Sequence, residues 1–151
     1  MHGVRRLHQF VRHLAQFHFG DTTRRFPVSG RIDVKVVQKP WGHETIWART
    51  DQYVGKVLHI KAGEALSVQY HHQKDETIHL LRGTMMYRVG AVGGELHDIG
   101  LREGESYRNE PGTVHQMEAV TDCDVLEAST PFLDDVVRLS DRYGRTGTSA
   151  P

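Results

Sequence analysis

Between Pro40 and Ser129 the chain contains no helical apolar period, only short runs of alternating or β-branched residues cut by turn signals at regular spacing. The runs fall at 43–48, 53–60, 65–72, 76–82, 84–92, 95–101, 113–120 and 123–129. Asp51-Gln52, Ala62-Gly63, Lys74-Asp75, Arg82-Gly83, Gly93-Gly94, Glu103-Gly104 and Pro111-Gly112 separate them. Eight short strands with connections too brief for crossover helices admit one class of solution, an antiparallel all-β sandwich or barrel. The length of 151 residues suits a single core. No apolar run reaches the ~18 residues that span a bilayer, so no membrane association is expected.

The chain carries 19 basic and 19 acidic residues, a balance that argues against a nucleic-acid partner. That balance is uneven along the chain. Residues 1–31 hold six arginines against Asp21, a net charge of +5, and the remainder carries −5. Within 1–30, Val4, Leu7, Val11 and Leu14 recur with a period near 3.6, which predicts a basic amphipathic helix or a disordered extension. Histidines 2, 8, 13 and 18 are five or six apart, the wrong spacing for two ligands on one helix face. The expected organisation is therefore a basic extension over 1–30, a β domain over 31–145 and a frayed tail over 146–151. Within the domain, the 134–145 segment reads as a short helix or hook packed back on the strands. The single Cys123 cannot form an intramolecular disulfide, which points to a reducing cytoplasm and an inert thiol.

Chemistry concentrates in Gln69-Tyr70-His71-His72-Gln73-Lys74-Asp75-Glu76. Strand parity sends Gln69 and His71 to one face and Tyr70 and His72 to the other. Beyond the Lys74-Asp75 turn, Glu76 opens the next strand and can face the same point. Pro111-Gly112-Thr113-Val114-His115 supplies a further imidazole at a strand start. One amide, two imidazoles and a carboxylate suit a divalent first-row metal with open positions, although buried histidines and glutamates are more often satisfied core groups. By parity His59 lies outside the pocket, and His72 and His79 read as surface or outer-layer residues, with an all-histidine site of His71, His72 or His79 and His115 as the alternative. Met85, Met86 and Tyr87 read as core, Met117 as a cavity-lining residue, and Trp41 and Trp47 as packing at the barrel entrance or a dimer contact.

These residues resemble a known family. Gly63, Gln69, His71, Glu76 and Gly83 fit the first cupin motif with glutamine in place of its first histidine, and Pro111, Gly112 and His115 fit the second. Three further segments are similar to the C-terminal domain of type II phosphomannose isomerases and their short relatives: Lys39-Pro40-Trp41-Gly42, Leu66 to His72, and Asp134 to Arg145. One departure is Lys74-Asp75-Glu76-Thr77-Ile78, where those isomerases carry Arg-Ser-Glu-His-Trp. The resemblance implies a cupin jelly roll holding one divalent metal on Gln69, His71, Glu76 and His115. Zinc is the first candidate, followed by nickel, manganese and iron. It also implies catalytic roles for Lys56, Glu127 and Arg145, with a small-molecule substrate.

The expected reaction is enolate or proton-transfer chemistry on a small carbonyl compound, most like isomerisation of a sugar phosphate such as mannose 6-phosphate. A polyketide-cyclase type of cupin acting on an apolar poly-carbonyl substrate is the first alternative. A non-catalytic small-molecule binder is the second, and oxygen chemistry on iron a further one. Pocket polarity separates the first two: Arg138, Arg142 and Arg145 would favour an anionic sugar, whereas Ile78, Leu80, Met86 and Met117 would favour an apolar ligand. A homodimer is expected, with 28–41 as a candidate exchanged strand.

Overall fold

A computed structural model of the chain describes residues 30–145, so the helical or disordered reading of 1–29, the domain bound at 30 and the frayed 146–151 tail lie outside or at the edge of the described residues. Eleven strands follow in order: β1 (Lys35–Lys39), β2 (Gly42–Arg49), β3 (Val54–Ile60), β4 (Val68–Tyr70), β5 (Glu76–Arg82), β6 (Thr84–Ala91), β7 (Leu96–Arg102), β8 (Ser106–Asn109), β9 (Thr113–Ala119), β10 (Cys123–Ser129) and β11 (Val137–Ser140). There is no helix among the described residues, and none long and apolar enough to cross a membrane. The 134–145 segment is corrected from a short helix or hook to one containing a strand: β11 pairs with β4 through Val137 and Tyr70. β-branched Val136 and Val137 favour that extended state. One other short strand, polar β8, escaped the sequence pattern, while exposed β1 lies within the 28–41 segment expected as a candidate exchanged strand and pairs here with β2.

The strands form two antiparallel sheets, ordered β1-β2-β3-β10-β5-β8 and β11-β4-β9-β6-β7. Consecutive strands repeatedly change sheet, which makes the sandwich a jelly roll. Alternation explains the packing. Along β2, Glu44, Ile46 and Ala48 are buried while Trp47 and Arg49 are exposed, and along β5 Glu76, Ile78 and Leu80 are buried while Thr77 and Leu81 are exposed and His79 is half-buried. Leu58, Ile60, Ile78, Leu80 and Val125 from the first sheet meet Met85, Tyr87, Leu101, Met117 and Ala119 from the second. This apolar filling occupies one end of the sandwich. At the other end the inward positions turn polar: Lys56 precedes Leu58 on β3, Glu127 follows Val125 on β10, Glu76 precedes Ile78 on β5, and His115 precedes Met117 on β9. The cavity opens there.

Candidate metal centre

His71, Glu76 and His115 are each about 2% exposed or less, and one ligand atom from each falls within 4.8 Å of the other two. They arrive from both sheets. His71 follows β4 directly, Glu76 opens β5 and His115 lies on β9, whose partner across the ladder is Gln69. Glu76 therefore faces the imidazoles across the sandwich, and not from a strand next to β4 as the chain order suggests.

Both imidazoles are fixed in the same sense. His71 Nδ1 donates to the Asp135 carbonyl, and His115 Nδ1 donates to the Thr113 carbonyl at 3.0 Å. A carbonyl accepts only, so each Nδ1 carries a hydrogen and each ring turns its Nε2 to the cavity, as a lone pair whenever the ring is neutral. Neither Nε2 has a hydrogen-bond partner of good geometry among the described residues, although His115 Nε2 lies 3.0 Å and His71 Nε2 3.8 Å from Glu76 oxygens. Burial pushes the His71 pKa down against the pull of the Glu76 charge, which keeps that ring neutral. Burial opposes ionisation of Glu76 too, yet the Lys74 ammonium bonded to it holds it well below the ordinary carboxylate range. Two lone pairs and a carboxylate aimed at one buried point, with the outer ring nitrogens anchored, are the donor set that a divalent ion relieves. The residues present fit such an ion. Gln69 lines the same cavity, and its Oε1 accepts the Ser67 hydroxyl at 2.7 Å.

Lys74 is the residue that sequence reasoning misplaced. The Lys74-Asp75 pair reads as a solvent-facing turn, but the Lys74 side chain is buried, donating to Glu76 Oε2 and, at 2.7 Å, to Glu127 Oε1. Burial alone would lower the lysine pKa; the two carboxylates overcome it and raise the value. A signal was available, since Lys74 stands two residues before Glu76 and shares its parity.

The pair is part of a longer ladder that crosses the first sheet strand by strand. Lys39 on β1 meets Glu44 on β2 at 3.1 Å; Glu44 meets Lys56 on β3 at 3.4 Å; Lys56 lies 3.8 Å from Glu127 on β10; and Glu127 is joined through Lys74 to Glu76 on β5. Asn109 on β8 closes the row by donating to Glu76 Oε1 at 3.0 Å, and it accepts the Tyr87 hydroxyl at 2.6 Å. Glu44 was legible as an inward position beside Ile46, whereas Asn109 sits on a strand with no apolar alternation to reveal it. Burial works against ionised Glu127, but Lys56 and Lys74 hold its pKa below the ordinary value.

Opposite the ladder, Arg138 and Arg145 line the cavity, together with Trp41, Leu66, Met117, Leu133 and Val136. Arg145 is presented by a fork-to-fork pair with Asp141, at 2.7 and 2.9 Å. Arg142 does not reach the cavity and bonds the Gly63 carbonyl and Glu118. Ile78, Leu80 and Met86 do not line it either. His72 is exposed, His79 bonds Ser106 at 2.8 Å, and His59 bonds Asp124 at 2.7 Å, all away from the cluster as parity requires. Cys123 is fully buried, and burial raises its thiol pKa.

Comparison with known proteins bears on the family and the fold. Residues 30–141 match the family model described as Mannose-6-phosphate isomerase C-terminal. A mannose-1-phosphate guanylyltransferase of Escherichia coli K12 is 36% identical over 114 residues, covering 72% of this chain and 23% of that protein. The Salmonella typhimurium guanylyltransferase ManC is 38% identical over the same coverage, so the chain spans about a quarter of the length of these relatives. Among solved structures, the capsular polysaccharide assembling protein CapF of Staphylococcus aureus superposes with a TM-score of 0.65 at 20% identity, over 73% of this chain and 32% of CapF. Oxalate decarboxylase of Bacillus subtilis gives 0.64 at 14%, over 76% and 32%. KdgF of Halomonas sp. gives 0.56 at 17%, over 66% of this chain and 88% of its own. These three share the fold. With two cupin motifs converging on one buried cluster inside a jelly roll, and with the family model covering nearly the whole described domain, the chain belongs to the mannose-6-phosphate isomerase C-terminal family of the cupin superfamily.

Proposed function

We propose that the domain is a metal-dependent enzyme that moves a proton between adjacent carbons of an anionic sugar, of the mannose 6-phosphate type. The observation that carries this reading is the cavity wall. Five cationic side chains (Lys39, Lys56, Lys74, Arg138, Arg145) face three carboxylates (Glu44, Glu76, Glu127) around the cluster, and of Ile78, Leu80, Met86 and Met117 only Met117 is in the lining. Such a wall favours a phosphorylated or carboxylated ligand over an apolar poly-carbonyl one, which removes support from the cyclase alternative. The matched family, Mannose-6-phosphate isomerase C-terminal, points to the same substrate class.

A divalent ion on His71, Glu76 and His115, with Gln69 beside it, would supply Lewis acidity toward a carbonyl and its neighbouring hydroxyl. The residues of the chain do the rest. Arg145, stiffened by Asp141, and Arg138 bind the anionic end and set which carbon faces the cluster. Glu127, kept ionised by Lys56 and Lys74, accepts the proton from the carbon next to the carbonyl and returns it to the neighbouring carbon, while the hydroxyl proton passes from its oxygen to the former carbonyl oxygen. Lys56 has only long contacts, 3.4 and 3.8 Å, so its ammonium is the one placed to turn toward the developing oxyanion. Trp41 and Leu58 line the cavity floor and limit water around the transferred proton.

The test is interconversion of mannose 6-phosphate and fructose 6-phosphate by zinc- or manganese-loaded protein. Arg145→Ala is expected to raise KM roughly tenfold or more with a smaller loss in kcat, because it removes binding that ground state and transition state share. Saturable binding without turnover would replace the enzyme with the small-molecule binder, and neither binding nor turnover would reject the anionic-sugar reading.

A further inference from the structure

Three lysines line the cavity, and they are held differently. Lys39 is at the rim, Lys56 has long contacts, and Lys74 is locked between two buried carboxylates. The Glu76 carboxylate is consequently divided. Its Oε2 belongs to Lys74, while Oε1 accepts from Asn109 and stands 3.0 Å from the bare Nε2 of His115. An ammonium thus already occupies one side of the only carboxylate in the cluster.

We infer that Lys74 is the resident cation of the metal centre: its single ammonium bridges Glu76 and Glu127 and offsets part of their charge before any metal arrives, and it then competes with the metal for Glu76, so the ammonium caps the affinity of the site. The inference rests on the metal-dependent reading above. Charge balance is the argument. The buried carboxylates Glu76 and Glu127 carry two negative charges that a divalent ion would match; the Lys74 ammonium between them, with Lys56 3.8 Å from Glu127, already offsets those charges, so a divalent ion added beside Lys74 leaves a positive surplus. A buried surplus charge is unfavourable in a medium of low dielectric. The same ammonium is what allows two adjacent carboxylates to remain buried in the metal-free fold, because an uncompensated buried charge is strongly destabilising. The lysine therefore exchanges tight metal binding for a site assembled in advance.

Zinc and manganese binding to the full chain, measured by calorimetry at fixed pH and ionic strength, tests this with Lys74→Met and Lys74→Arg. Lys74→Met keeps the length and removes the charge; it is expected to bind metal at least roughly tenfold tighter than the parent and to melt earlier in chelator, regaining the loss when zinc is added. Lys74→Arg keeps the charge and is expected to bind as the parent does. Should Lys74→Met fail to fold without metal, Glu127→Gln and the double variant Lys74→Met/Glu127→Gln provide the same comparison with one buried carboxylate fewer, and the double variant is expected to bind tighter. Unchanged or weaker metal binding on loss of the ammonium, with the parent still binding, overturns the role of Lys74 alone. Absence of binding by the parent and by every variant overturns it together with the metal-centre reading.

Discussion

At the scale of single residues, the identity of each ring nitrogen determines what the cavity can hold. His71 and His115 both give their Nδ1 hydrogens to backbone carbonyls, of Asp135 and Thr113, which leaves two Nε2 lone pairs beside Glu76. A ligand so oriented loses little freedom on binding an ion, and the outer hydrogen bond raises its basicity. His115→Ala is therefore expected to lose most bound metal while the barrel stays folded, since His115 sits at the open polar end and not among the aliphatic filling. Elemental analysis alongside circular dichroism checks it: full metal retention would mean that the ligand set is wrong. Glycine matters in a different way at Gly83, where φ is +102° and an added Cβ would stand 2.4 Å from the Asp122 carbonyl, so the β5–β6 turn requires the bare backbone.

At the scale of elements, the segment 71–75 positions the site and Asp135 holds that segment. Its carboxylate accepts from the backbone N–H groups of His72, Gln73 and Lys74, and its own carbonyl orients His71. The far end is clamped by Arg108 on Asp75 and by Thr130, and the near end by Gly112 N–H on the His71 carbonyl. Burial of Asp135 works against its charge, but the three N–H donors win and its pKa is lowered. The sign follows: a carboxylate with a depressed folded pKa contributes stability that is complete above the unfolded value of about 3.9 and is lost as pH falls through the folded one. Asp135→Asn should cost roughly 1–3 kcal/mol near neutral pH, where one amide oxygen replaces a charged acceptor of three bonds, and the gap from the parent should close below about pH 4. Urea unfolding at several pH values measures it. A gap that is constant down to pH 2.5 would show that the charge contributes nothing.

At the scale of the whole molecule, the sandwich separates stability from chemistry by position along the strands. The same four strands, β3, β5, β9 and β10, carry polar groups at the cavity end and Leu58, Ile60, Ile78, Leu80, Met117, Ala119 and Val125 farther in. Leu80 is 1% exposed and packs at that closed end, so Leu80→Ala should destabilise by about 2–5 kcal/mol and leave metal stoichiometry at the parent level. Chemical denaturation and metal analysis of the same sample decide: loss of metal in the folded variant would show that the two ends are coupled. The charge ladder works at this scale too, since it takes its side chains from five of the six strands of one sheet and from the segment just before β5.

Alternation within strands, turn residues between them and the two spaced motifs determined by themselves that the chain is an all-β cupin and that His71, Glu76 and His115 are its conspicuous donors. These signals are local: period two assigns a face, a glycine permits a turn, and a motif fixes spacing along the chain. Which face of which strand meets which is a long-range fact. Only the tertiary structure decided that Glu76 reaches the histidines from the opposite sheet, that Arg138 and Arg145 face the cavity while Arg142 does not, and that a lysine in an apparent turn is buried against two carboxylates. The physical reason is that strand order and register come from pairing between segments as distant as 54 and 129, and the energy of a buried charge depends on what that pairing brings beside it.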